Sequence, residues 1–177
     1  MLQFRETEIP GVVVVETEAA LDDRGAFARM YCADEFAAHG IYFVPVQIST
    51  SANRRNGTLR GLHLQAEPRP EVKLVSCTRG SAFDVAVDLR DGSPTYGRWT
   101  AVELTAENRR SIYIPAGCAH GFQTLEDDTE ILYLISETYD ARLQRGVRWD
   151  DPGLEIEWPQ EPKVMSDRDR EFADFQW

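Results

Sequence analysis

Ser81-Ala-Phe-Asp-Val-Ala-Val-Asp88 decides how the chain is read. In an extended strand successive side chains point to opposite faces, so Phe83, Val85 and Val87 share one face and Ala82, Asp84, Ala86 and Asp88 the other. A row of bulky hydrophobes backed by small residues and carboxylates is expected where one face packs and the other lines a cavity. The same alternation fits a face turned to solvent, and pattern alone leaves both open. Outward from this strand, further strand-like segments recur at short intervals: 12–16, 26–31, 42–49, 72–77, 99–104, 111–115 and 130–136. Turn signals separate them, among them Asp22-Asp-Arg-Gly25, Asn56-Gly57, Arg79-Gly80, Asp91-Gly-Ser-Pro94 and Glu126-Asp-Asp128. Many short strands joined by tight turns predict a mainly β protein, an antiparallel barrel or sandwich. Helical signal is short and peripheral, at 34–38, 105–108 and 166–172.

The 177 residues suit a single domain, 1–177, with the tail from about 160 packing on the barrel. A hydrophobic fraction of 42% and no long apolar run give no membrane-spanning segment. The acidic N-terminus lacks the pattern of a signal peptide, and Cys32, Cys77 and Cys118 are odd in number and widely spaced. Both features predict a cytoplasmic protein with reduced thiols. A net charge of −11 opposes binding to nucleic acid or anionic membranes. An anionic ligand therefore has to be held locally, and Arg54, Arg55 and Arg60 form the one compact basic cluster.

Histidine is scarce, with only His39, His63 and His120. No H-x-H pair, C-x-x-C, G-x-S-x-G, G-x-G-x-x-G or Walker loop is present. These absences count against a metal centre, a serine or cysteine triad and dinucleotide or nucleoside-triphosphate chemistry. Acid/base work by a histidine, a tyrosine, a lysine and carboxylates remains. His63 lies in Thr58-Leu-Arg-Gly-Leu-His-Leu-Gln65, Tyr133 in Ile131-Leu-Tyr-Leu-Ile135 and Lys73 in Glu71-Val-Lys-Leu-Val75. Each of the three also has an ordinary reading, as a satisfied core histidine, a packing tyrosine and a snorkelling lysine. Arg60 and His63 are three apart, so a bend or bulge is needed before they can share a pocket.

Together Gly57-Thr-Leu-Arg-Gly-Leu-His63, Lys73-Leu-Val75, Asp84-Val-Ala-Val-Asp-Leu-Arg90, Ser93-Pro-Thr-Tyr-Gly97, Ile114-Pro-Ala-Gly-Cys-Ala-His-Gly-Phe122, Trp149-Asp-Asp-Pro152 and Ile156-Glu-Trp-Pro159 resemble the dTDP-4-dehydrorhamnose 3,5-epimerases. The likeness runs in order from about Ile9 to Asp169. It implies a cupin-like jelly roll without metal or other cofactor, and a homodimer whose N-terminal strands pair across subunits. It further implies a nucleotide-diphosphate-linked 4-keto-6-deoxyhexose as substrate, epimerised by enolisation. By the same resemblance His63 is the base, Asp169 orients it, Tyr133 is the acid and Lys73 stabilises charge on the sugar O4. Arg24, Gln47, Arg60, His120 and Tyr139 match substrate-binding positions, with Arg24 serving the neighbouring subunit's site.

At the binding positions Arg29 and Gln144 stand where the family commonly has Glu, and Ser49 where it has Asn. Leu64 replaces an aromatic residue and Glu71 a glutamine. A CDP- or GDP-linked sugar therefore stands as an alternative, and the acid/base residues fit epimerisation at one centre and 3,4-ketoisomerisation equally, since both need the same enolate chemistry. A nucleotide-sugar binding protein without turnover and a metal-dependent cupin oxygenase are the readings from other classes.

Overall fold

The computed structural model describes residues 1–175. Two antiparallel sheets face one another. The first contains β1 (Leu2–Glu6), β2 (Val13–Thr17), β5 (Gln47–Asn53), β7 (Lys73–Arg79), β10 (Ser111–Ile114) and β12 (Thr129–Ile135), in the order β1-β2-β10-β7-β12-β5. The second contains β6 (Leu59–Gln65), β8 (Ser81–Asp88), β9 (Trp99–Thr105), β11 (Cys118–Thr124) and β13 (Gln144–Gly146), in the order β13-β6-β11-β8-β9. A separate exposed hairpin pairs β3 (Ala20–Asp22) with β4 (Gly25–Phe27). Two short helices, α1 (Ala33–Ala38) and α2 (Asp167–Arg170), lie outside the sheets.

Three hydrophobic layers hold this arrangement. Between the sheets lie Val12, Val14, Val75, Ala82, Ala86, Leu104, Ile112, Phe122 and Ile131, all buried. Outside the first sheet, Phe36 of α1 and Phe43 pack on Val13, Val15 and Leu74. Outside the second, Leu154, Ile156 and Trp158 cover Val85, Val87, Leu62 and Ala119. Val12-Val-Val-Val15 is thus apolar on both faces because both faces are covered. The bulky row of β8 meets the C-terminal cover, and its small row meets the space between the sheets.

Several sequence-based boundaries move. The expected strand 42–49 begins only at Gln47, because Pro45 removes a ladder donor and Tyr42 and Val44 project into solvent. The expected strand 26–31 shrinks to the end of the β3–β4 hairpin. Thr105–Asn108 is a turn and not a helix: the Asn108 side chain accepts from the Thr105 N–H while the Thr105 hydroxyl accepts from the Asn108 N–H. β1 pairs with β2 of the same chain.

The tail is fastened to the second sheet at the foot of β6. Val164 bridges Thr58, the Leu59 N–H donates to the Val164 carbonyl at 2.9 Å, and the Lys163 N–H donates to the Gly57 carbonyl at 2.9 Å. Ser166 then caps α2, accepting from the Asp169 N–H at 3.2 Å. No helix among the described residues is long and apolar enough to cross a membrane.

Asp88, fully buried at the end of β8, ties a loop to the barrel. It accepts from the Arg90 guanidinium at 2.8 Å, from the Arg90 N–H at 3.1 Å and from the hydroxyls of Ser93 and Thr95. Arg90 also donates to the Pro10 carbonyl at 2.9 Å. Burial alone would raise the Asp88 carboxyl, yet these donors hold it well below the ordinary carboxylate range. A depressed native value stabilises the fold above the unfolded pKa of about 3.9, and this contribution is lost as pH falls further. Asp88→Asn is therefore expected to cost about 3 kcal/mol near neutrality, since it leaves Arg90 facing a neutral group. Urea titrations from pH 6 to pH 2.5 check this: the gap between wild type and variant should narrow below about pH 4, and a constant gap would refute it.

Candidate active site

β6 carries His63 and Arg60, and the local backbone explains how both reach one cavity. His120 pairs with His63, but Phe122 pairs with Arg60, so two residues of β6, Gly61 and Leu62, oppose the single Gly121 of β11. This bulge supplies the bend that the three-residue spacing requires. Gly61 has φ of +128°, and a Cβ built there would sit 2.5 Å from the Gly121 Cα and 2.9 Å from the His120 carbonyl. Only glycine meets both the left-handed backbone and the close contact.

A cavity of about 360 Å³ opens beside the bulge, between the two sheets. His63, Arg60, His120 and Phe122 line it from the second sheet; Lys73, Tyr133, Ser49, Ser51 and Ile135 line it from the first. Gln65, Glu71, Tyr139 and Gln144 lie at its sides, and Ser166, Arg168 and Asp169 close it from the tail.

His63 Nε2 lies 2.7 Å from Asp169 Oδ1, and the other oxygen of Asp169 accepts from the Gly61 N–H at 3.3 Å. Burial alone would raise the Asp169 carboxyl, but the bond and charge of His63, with the Gly61 and Ser166 contacts, hold it below its ordinary value. An ionised Asp169 fixes the proton of His63 on Nε2, which leaves Nδ1 as the acceptor. Phe172 packs against the imidazole with ring centroids 5.9 Å apart.

His120 forms a second couple, with Nε2 3.0 Å from both oxygens of Asp84. Asp84 has no exposed surface, and burial lifts its carboxyl above the ordinary value against the pull of His120 and Lys73. Tyr133 stands edge-on to His120 with centroids 5.9 Å apart. Burial, reinforced by Asp84 and opposed by Arg60, pushes its phenol well above the ordinary value, so it remains protonated. Lys73 is 2.9 Å from Glu71 and donates to the His63 carbonyl at 3.2 Å.

At the mouth the polar residues form a chain of hydrogen bonds. The Tyr139 hydroxyl donates to Gln144 at 2.6 Å, the Tyr139 N–H to Gln47 Oε1 at 3.3 Å, and Gln47 Nε2 to Ser49 at 3.2 Å. Arg60 donates to Asn53 at 2.8 Å.

The cavity thus collects His63, Tyr133, Lys73, Asp169, Ser49, Arg60, His120, Tyr139 and Gln144 from the sequence-based set, and Gln47 braces it from behind. Arg24 and Arg29 lie outside it within one chain: Arg24 pairs with Asp22 on the exposed hairpin, and Arg29 donates to Glu35 at 2.8 Å. Sequence reasoning did not assign Gln65, Ser51, Phe122, Ile135, Ser166 or Arg168 to the site. Gln65 and Ser51 sit two residues from His63 and Ser49 on their strands, a period-two signal that could have found them. Among the described residues no three His, Cys, Asp or Glu side chains converge as a metal site.

Residues 6–176 match the family model for dTDP-4-dehydrorhamnose 3,5-epimerase. A dTDP-4-dehydrorhamnose 3,5-epimerase of Sinorhizobium fredii is 43% identical, the match covering 95% of this chain and 87% of that protein. A dTDP-4-dehydrorhamnose 3-epimerase of Streptomyces niveus is 40% identical, over 96% of this chain and 82% of that one. The crystal structure of dTDP-4-dehydrorhamnose 3,5-epimerase from Bacillus anthracis, with TDP and pyrophosphate bound, superposes with a TM-score of 0.95 at 36% identity, covering 99% of this chain and all of that one. The cupin-like fold expected from the sequence is the fold of that neighbour. The chain belongs to the dTDP-4-dehydrorhamnose 3,5-epimerase family.

Proposed function

We infer that this protein epimerises dTDP-4-dehydro-6-deoxyglucose to dTDP-4-dehydrorhamnose by proton transfer next to the sugar ketone. The observation that carries the reading is the position of His63 and Tyr133 on opposite sheets, both lining one cavity. Inversion at carbon needs a base on one side of the sugar ring and an acid on the other. His63 Nδ1 removes the proton next to C4, and the electron pair of that C–H bond moves onto the carbonyl oxygen as an enolate. Lys73 stabilises the charge on O4. Tyr133 returns a proton to carbon from the opposite face, for which a phenol kept protonated by burial is suited. Asp169 is the positioning residue that holds His63 in one tautomer.

Arg60 supplies charge for the diphosphate, and Ser49, Gln47, Tyr139 and Gln144 supply the polar rim for the nucleoside. The dTDP substrate is favoured over CDP and GDP sugars by the names of the Sinorhizobium relative and of the TDP-bound Bacillus neighbour. The Streptomyces relative named as a 3-epimerase keeps inversion at C3 alone as the second reading.

The chain acts as a homodimer in this reading. Leu21 and Phe27 on the β3–β4 hairpin are each 77% exposed, and Tyr42, Val44, Val46 and Ile48 are exposed as well. Exposed apolar side chains of this size support a surface that another chain covers. In this reading Arg24, 90% exposed at the hairpin tip, serves the partner's cavity. The three cysteines are free, which supports a cytoplasmic location.

Proton NMR in deuterium oxide with dTDP-4-keto-6-deoxyglucose tests the chemistry. Label is expected at both C3 and C5; label at C3 alone would select the single-centre reading, and none at either would overturn the enzyme. His63→Asn and Tyr133→Phe should each lower turnover by about 10²–10⁴-fold while TDP binding persists. Sedimentation at micromolar concentration is expected to give a dimer, with Phe27→Glu shifting it toward monomer; a monomeric wild type would refute the assembly.

A further inference from the structure

Glu71 is a carboxylate inside the cavity that the acid/base scheme does not use. It lies two residues before Lys73, just ahead of β7, and the residue between them is clamped. The Val72 N–H donates to the Ser136 hydroxyl at 2.9 Å, and the Ser136 N–H donates to the Val72 carbonyl at 3.0 Å. An extended chain held there sends side chains 71 and 73 to the same side. Both line the cavity, both side chains are only about a tenth exposed, and Nζ lies 2.9 Å from Glu71 Oε1.

A lysine ammonium has three N–H donors and a flexible four-carbon stem. Two donors of Lys73 have fixed acceptors, Glu71 Oε1 at 2.9 Å and the His63 carbonyl at 3.2 Å. Tetrahedral geometry then sets the direction of the third, the one left for a ligand oxygen. The other carboxylates near the cavity are committed, Asp169 to His63 and Asp84 to His120.

We propose that Glu71 is a positioning residue, which aims the third N–H of Lys73 at the substrate carbonyl oxygen that becomes the enolate. This rests on the proposed role of Lys73 at O4. Orientation matters most once charge has developed on that oxygen, so the loss on removing Glu71 falls on kcat rather than on KM.

A double-mutant cycle tests it, with Glu71→Ala, Lys73→Met and the double variant compared for kcat, KM and solvent deuterium uptake. Glu71→Ala is expected to lower kcat by about 10- to 100-fold with KM changed less than about threefold, and Glu71→Gln, which keeps an acceptor, to recover most of it. In the Lys73→Met background Glu71→Ala should lower kcat no further, because its effect passes through Lys73. An equal loss in both backgrounds, an effect confined to KM, or full activity in Glu71→Ala would overturn the positioning role while leaving that of Lys73 intact. Full activity in Lys73→Met would instead overturn the role of Lys73, and the role of Glu71 with it. Thermal unfolding of each variant separates these outcomes from loss of fold; if Glu71→Ala does not fold, Glu71→Gln and Glu71→Leu in the two backgrounds give the same comparison.

Discussion

The site depends on one close approach of backbones, where β6 meets β11 at Gly61 and Gly121. With no side chain at either position the strands come together, and the extra residue of the bulge turns Arg60 and His63 toward the same cavity. The Gly61 N–H donates to Asp169, so the constraint that bends the strand also anchors the carboxylate behind His63. The tail reaches this point through its contacts at Gly57, Thr58 and Leu59. Strand, tail and histidine are therefore one mechanical unit.

Around the cavity His63, His120 and Lys73 each have an acidic neighbour: Asp169 with His63, Asp84 with His120 and Glu71 with Lys73. A charge taken out of water is costly unless paired, so the pairing lets these groups face a partly dry cavity. It also gives each a fixed direction. A chain of net charge −11 can in this way present a locally cationic surface, with Arg60 and Arg168 at the cavity and no acidic partner within salt-bridge distance of either among the described residues.

Legibility varied with the range of the interaction that decides each feature. The alternation of β8 announced a strand with two unlike faces, because period two is a local property. It did not reveal that the bulky row faces a second layer made by Leu154, Ile156 and Trp158, some seventy residues later in the chain. β1, β3, β6, β11 and β13 lay outside the expected strand segments. Cys118-Ala-His-Gly-Phe-Gln-Thr124 is buried at every residue and so shows no alternation, and Gln144-Arg-Gly146 is too short to show any. The expected helix at 105–108 failed because the side chains of Thr105 and Asn108 offered the backbone a tighter turn.

By itself the sequence determined the β class, the run of family motifs and the residue types able to move a proton, because composition, alternation and motif spacing are carried along the chain. Only the tertiary structure decided which of them meet. His63 and Asp169 are separated by 106 positions and stand 2.7 Å apart, while Arg24 and Arg29, also assigned to binding positions, lie outside the cavity of one chain. The reason is physical: contacts between distant segments are set by how two sheets, a bulge and a tail close on one another, and neither periodicity nor spacing records that closure.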